Sequence, residues 1–104
     1  MIIPGTTPIH EFELPIDTAL LKEVKVIYAQ NDEMIFCKRA KDCSLNGNVI
    51  RIKLTQEDTF LVDCNKMVQV WIRALTHNGD SLAMEDPITI TAKKCFDSDK
   101  EVLS

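Results

Sequence analysis

The sequence predicts an all-β fold, an antiparallel immunoglobulin-like β-sandwich of six or seven strands with one short helical turn at a crossover, on three observations. Apolar residues recur at every second position through several short runs, the spacing that sets one face of a strand in a core and the other in water. Turn-forming residues separate these runs at strand-length intervals. No apolar stripe of helical period is long enough for a helix of useful length, so two packed sheets are the direct way to cover the apolar faces, with a small barrel as the alternative.

Pro4, Gly5 and Pro8 form an extended lead-in. His10, Phe12 and Leu14 then point inward between Ile9, Glu11 and Glu13 until Pro15 ends the run. The flanking prolines place this first strand at a sheet edge, because proline lacks the N–H that a central strand donates. Asp17 to Glu23 is expected to form a helical turn capped by Asp17. Val24 to Gln30 reads as a strand with Val24, Val26 and Tyr28 on one face and Lys25, Ile27 and Ala29 on the other. Asn31-Asp32-Glu33 turns the chain into a return strand, Met34 to Arg39, whose faces are nearly equally apolar. Ala40 to Leu45 is a polar connection, and Asn46-Gly47 is expected to supply the two positive-φ residues of a tight hairpin. Ile50, Ile52 and Leu54 alternate with Val49, Arg51 and Lys53 in the cleanest strand pattern of the chain.

Thr55 stands three residues ahead of Asp58, the pattern of a capped helical turn crossing between sheets, with Phe60 as its core anchor. Met67 to Thr76 is the longest strand, with Val68, Val70, Ile72 and Ala74 on one face and Gln69, Trp71 and Arg73 on the other. His77-Asn78-Gly79-Asp80 signals a further hairpin, and a last strand runs near Pro87 to Ala92 with Ile88 and Ile90 inward. The 104 residues are expected to form a single domain, ordered over about 6–95 and followed by an acidic, frayed tail over 96–104.

Twelve basic against sixteen acidic residues give a net charge of −4, which argues against nucleic acid and against an acidic membrane surface as partners. With no basic, apolar leader at the N-terminus, the expected location is the cytoplasm. The four cysteines, Cys37, Cys43, Cys64 and Cys95, are separated by five, twenty and thirty residues, which lacks the close pairs of a structural zinc site. They are read as reduced thiols, with Cys37 and Cys64 filling space as small hydrophobes.

Only His10 and His77 offer a base for nucleophilic catalysis, the first on an inward strand face and the second in a hairpin turn. Packed and solvated histidines are the better readings, and no catalytic residue is assigned. Gly5, Gly47 and Gly79 are isolated, so nothing cradles a phosphate and no cofactor or metal is expected. Gln69, Trp71 and Arg73 share one strand face in a combination enriched at protein interfaces and form the candidate contact patch. Trp71 has two readings that stand side by side, an interface anchor or plain packing beside Ile27. A glycan platform normally presents several rings, and this chain has one Trp and one Tyr.

Gly5-Thr6-Thr7-Pro8, Phe12-Glu13-Leu14-Pro15 and Val26-Ile27-Tyr28-Ala29-Gln30 are followed by the run from Ile52 to Phe60, by Val68-Gln69-Val70-Trp71-Ile72-Arg73 and by Pro87-Ile88-Thr89. Together these phrases resemble small prophage-encoded proteins of Gram-positive bacteria. Such proteins are distantly similar to the immunoglobulin-like N-terminal domain of phage baseplate upper proteins. The resemblance implies a non-enzymatic structural or assembly role in a phage tail or baseplate. It implies other phage structural proteins as partners, a homo-oligomer as a further option, and a final location in the virion. A carbohydrate-binding or adhesion module is the alternative.

Overall fold

The computed structural model describes residues 1–95 and 97–104. Two antiparallel sheets face each other. One contains β1 (Ile9–Glu13), β5 (Val49–Lys53) and β4 (Cys43–Asn46), with β5 in the middle. The other runs β3 (Glu33–Arg39), β2 (Leu21–Gln30), β6 (Val68–Thr76) and then, on the same far edge of β6, β7 (Ser81–Ala83) and β8 (Ile88–Ile90). In immunoglobulin lettering the first sheet is B, E, D and the second C′, C, F, G, with the E–F crossover made by α1 (Gln56–Phe60).

Among the described residues eight strands stand where six or seven were expected, and the difference lies in short, exposed elements. β4 occupies part of the expected polar connection, and three of its four residues are exposed. β7 is exposed throughout, so it has no buried face to pattern its sequence. β2 begins at Leu21, which shortens the expected helical turn to a 3-10 turn over Thr18–Leu20; Asp17 caps it by accepting from the Ala19 N–H at 3.0 Å. A second 3-10 turn spans Ala40–Asp42.

The positive-φ turn pair sits at Asn31 (φ 54°) and Asp32 (φ 64°), the form that a type I′ hairpin requires, and not at Asn46-Gly47. At the latter turn Gly47 alone has positive φ, 58°, as the first residue of a two-residue loop between Asn46 and Val49, which is the type II′ arrangement.

Register explains the core. Phe12 lies opposite Ile50 and His10 opposite Ile52 in the first sheet; Val24, Val26 and Tyr28 lie opposite Ala74, Ile72 and Val70 in the second. Inward residues from both sheets form one cluster with Leu54, Val62 and Val68. Ile2 belongs to it and is fully buried, so order begins ahead of residue 6. It forms a parallel bridge with Ala92, donating its N–H to Thr91 and accepting from Lys93, both at 2.8 Å.

The crossover is capped as the sequence pattern requires: the Thr55 hydroxyl accepts from the Asp58 N–H at 3.1 Å, and the Asp58 carboxylate accepts from the Thr55 N–H at 3.0 Å. Its core anchor is Thr59 and not Phe60. Thr59 is fully buried, accepts from the Gly5 N–H and donates to the Thr6 carbonyl, both at 2.9 Å. Phe60 is half-buried and packs over Gly5, where an added Cβ would lie 2.8 Å from the ring. With φ at 85°, Gly5 also has a backbone that other residues rarely adopt.

The expected tail starts at Phe96, which lies outside the described residues. Further along, Leu103 is held at both main-chain groups by Gln56, whose Nε2 donates to the Leu103 carbonyl at 2.7 Å and whose Oε1 accepts from its N–H at 2.8 Å. This segment is pinned to the crossover.

Lys38 points inward from the edge strand β3 and pairs with Asp58 at 2.6 Å, joining that edge to the crossover. Partial burial works against the charged carboxylate, but Lys38 and the Thr55 N–H and hydroxyl outweigh it and hold Asp58 below its usual range. The folded pKa therefore lies beneath the unfolded one, about 3.9. The stabilisation is complete above that value and is lost as pH falls through the folded pKa. Asp58→Asn is expected to cost about 1–3 kcal/mol at pH 7. Urea unfolding followed by Trp71 emission checks this: the gap to wild type should narrow below about pH 4, and a gap independent of pH would exclude the charge as its cause.

Among the described residues no helix is long and apolar enough to cross a membrane.

Candidate functional site

The outer face of the five-stranded sheet carries the candidate patch. Gln69, Trp71 and Arg73 all lie on it because alternate residues of β6 share a face. Gln69 and Trp71 are half-buried and Arg73 is exposed. Cross-strand pairing sets Trp71 opposite Ile27, and Ile27 opposite Cys37 on β3. The indole therefore stands beside Ile27, where the packing reading puts it, and also borders open space.

That space is a concavity of about 400 Å³ lined by Ile27, Ala29 and Trp71, with Asp32, Met34, Gln69 and Met84 around them. Its cause is a break in the far edge of β6. β7 pairs with Arg73 to Leu75 and β8 with Val68 to Val70, so Trp71 and Ile72 have no strand beside them on that edge. Between β7 and β8 the chain leaves the sheet through Met84 to Pro87, and Pro87 lacks the N–H to resume the ladder before Ile88. Met84 thereby becomes a wall of the concavity. At the opposite side, the β2–β3 register shifts between Tyr28 and Ala29, and Met34 pairs with Ala29, more than half exposed.

One register step from Trp71, Lys25 pairs with Arg39 on one side and Arg73 on the other. Sequence reading placed Lys25 and Ile27 on the face away from Val24, Val26 and Tyr28 and named Ile27 as a packing neighbour of Trp71, but attached no role to Lys25. Arg39, Met34 and Met84 were invisible as neighbours because nothing in the pattern of β3 fixes its register and nothing in β7 announces the break after it.

The other candidates lie elsewhere. His10 is at the seam between the sheets, where Nδ1 shares a 2.8 Å hydrogen bond with the Tyr28 hydroxyl. Burial, with the N-terminal ammonium nearby, lowers its pKa, which favours the neutral ring. Burial also raises the Tyr28 hydroxyl well above the usual phenol range, with Cys43 and Asp58 adding to the effect. His77 is exposed in the β6–β7 turn. All four cysteines are free and half-buried. Cys37 faces outward opposite Ile27; Cys43 donates its thiol to the Arg39 carbonyl at 3.1 Å, and burial pushes its pKa up. Cys64 and Cys95 border one hollow beside Pro4. Among the described residues no group of three His, Cys, Asp or Glu side chains is placed to hold a metal ion.

No family model, curated protein or solved structure matches the chain.

Proposed function

We propose that this chain is a non-enzymatic structural or assembly protein of a phage tail or baseplate, joined to other virion proteins through the outer face of its five-stranded sheet. The observation that carries the contact role is the apolar concavity beside Trp71, rimmed by Gln69 and Arg73. A half-buried indole next to exposed methionine, with an arginine at its border, is the composition of an interface anchor and its rim. The phage setting rests on the sequence phrases from Gly5 to Thr89. The carbohydrate-binding alternative draws no support from the face, where Trp71 is the sole aromatic ring among the described residues.

Tail particles purified from a lysogen that carries this gene are expected to contain the chain by mass spectrometry. Trp71→Ala, and independently the surface change Arg73→Glu, should remove it from the particles while circular dichroism shows an unchanged fold. Retention of both variants at wild-type level would defeat the proposal, as would binding of wild type to a glycan array that Trp71→Ala abolishes.

A further inference from the structure

The register of β3, β2 and β6 lines up Arg39, Lys25 and Arg73 side by side across three strands. Adjacent strands lie about 4.8 Å apart, so the three basic residues leave the backbone within about 10 Å of one another, and all three side chains border one hollow. Like charges directly opposite repel, and among the described residues the ion pairs are Lys38 with Asp58, Arg51 with Glu11 and Lys66 with Asp63, none of them in this row. Glu23 borders the same hollow but makes no ion pair there. The hollow measures about 180 Å³ and Ser81 adds a hydroxyl to its wall. It has room for a carboxylate, and it is smaller than the pockets of about 300–1,000 Å³ that hold ring-sized ligands.

Arg73 borders both this hollow and the apolar concavity. Trp71 and Arg73 are two residues apart on one strand face, a separation of about 6.8 Å. An extended peptide repeats its own side chains at the same interval.

We infer that the occupant of this face is an extended acidic segment of a partner protein, with a carboxylate over Arg39, Lys25 and Arg73 and an apolar side chain two residues along in the concavity beside Trp71. This rests on the reading of the face as a contact surface. The net charge of −4 makes the basic row a local contrast on an acidic chain, suited to a short acidic motif and poorly suited to a long polyanion.

Trp71 is the only tryptophan, so its emission reports this face alone. The probe is a blocked eight-residue peptide with Glu and Leu two positions apart, titrated at low salt. A saturable emission change is expected, weakened at least tenfold by Glu-to-Gln replacement in the peptide, by the double variant Lys25→Gln and Arg73→Gln, and by placing Glu and Leu at adjacent positions. Equal binding of the Gln peptide would overturn the inference, as would no saturation at millimolar peptide. Tighter binding of a single-stranded oligonucleotide, or concentration-dependent self-association lost in the double variant, would overturn it in favour of nucleic acid or a second copy. If Trp71→Ala leaves the tail particles while the double variant stays, the contact face stands and the acidic partner falls. If Trp71→Ala also stays, both fall.

Discussion

Replacing Gln30 by leucine is expected to lower the stability of the domain by about 3 kcal/mol. Gln30 is only 5% exposed and closes the end of β2 against the loop that follows α1. Its Nε2 donates to the Asp63 and Lys66 carbonyls at 2.6 and 3.0 Å, and its Oε1 accepts from the Asp63 N–H at 2.8 Å. Leucine keeps the bulk and strands the Asp63 N–H and the Lys66 carbonyl in a partly buried place, each costing about 1 kcal/mol or more, and leaves the Asp63 carbonyl with the Lys66 N–H at 3.3 Å in place of its shorter bond to Gln30. Urea unfolding measures the loss, and faster hydrogen exchange at the Asp63 amide localises it. Gln30→Glu adds a sign test. Its carboxylate would face two carbonyl oxygens, so its folded pKa should rise above the unfolded value of about 4.3. That variant should therefore gain stability relative to wild type as pH falls from 7 to 5. A Gln30→Leu protein within about 0.5 kcal/mol of wild type would show that water replaces the carboxamide at little cost.

Tyr28→Ala should be costlier still, about 4 kcal/mol, which lowers Tm by roughly 15–30 °C for a domain of this size. The ring is fully buried, stacks on Phe36 with centroids 4.6 Å apart and lies 5.8 Å from the His10 ring of the opposite sheet. Tyr28→Phe keeps the stacking and removes the bond to His10, for a loss of about 1 kcal/mol. The His10 contribution has a definite pH sense. Its folded pKa lies below the unfolded 6.5, so stability is complete above about pH 6.5 and declines as acid protonates the unfolded chain first. Opening the seam with alanine admits water to the imidazole and should flatten this decline between pH 7 and 5. Thermal unfolding by circular dichroism checks both parts, and a Tyr28→Ala protein with Tm close to wild type would contradict the place given to this ring in the core.

The legible parts of the fold are those whose two faces meet different surroundings. β5 and β6 have one face in the core and one outside, and their alternation named Ile50, Ile52, Val68, Val70 and Ile72 as inward residues. β4 and β7 border water on nearly every side, so Cys43–Asn46 and Ser81–Ala83 carry no period for a reader to find. β3 defeats the pattern differently: its inner face includes Lys38, which is satisfied by Asp58 from the crossover and has no local signal. The candidate site divides the same way. Gln69, Trp71 and Arg73 follow from the period of a single strand. Lys25 and Arg39 join them only through the pairing of three strands, and Met84 only through a break in a ladder.

The bridge between Ile2 and Ala92 has a consequence for biosynthesis. Ile2 is synthesised some ninety residues ahead of its hydrogen-bond partners, Thr91 and Lys93. Until they appear Ile2 lacks this bridge, and the closing of the core around it waits on synthesis of residues 91–93. Contacts between such distant positions fold slowly and leave nascent chains open to aggregation. Release of a chain shortened just before residue 91 should therefore yield insoluble protein, even though all eight strands found among the described residues would already have been synthesised.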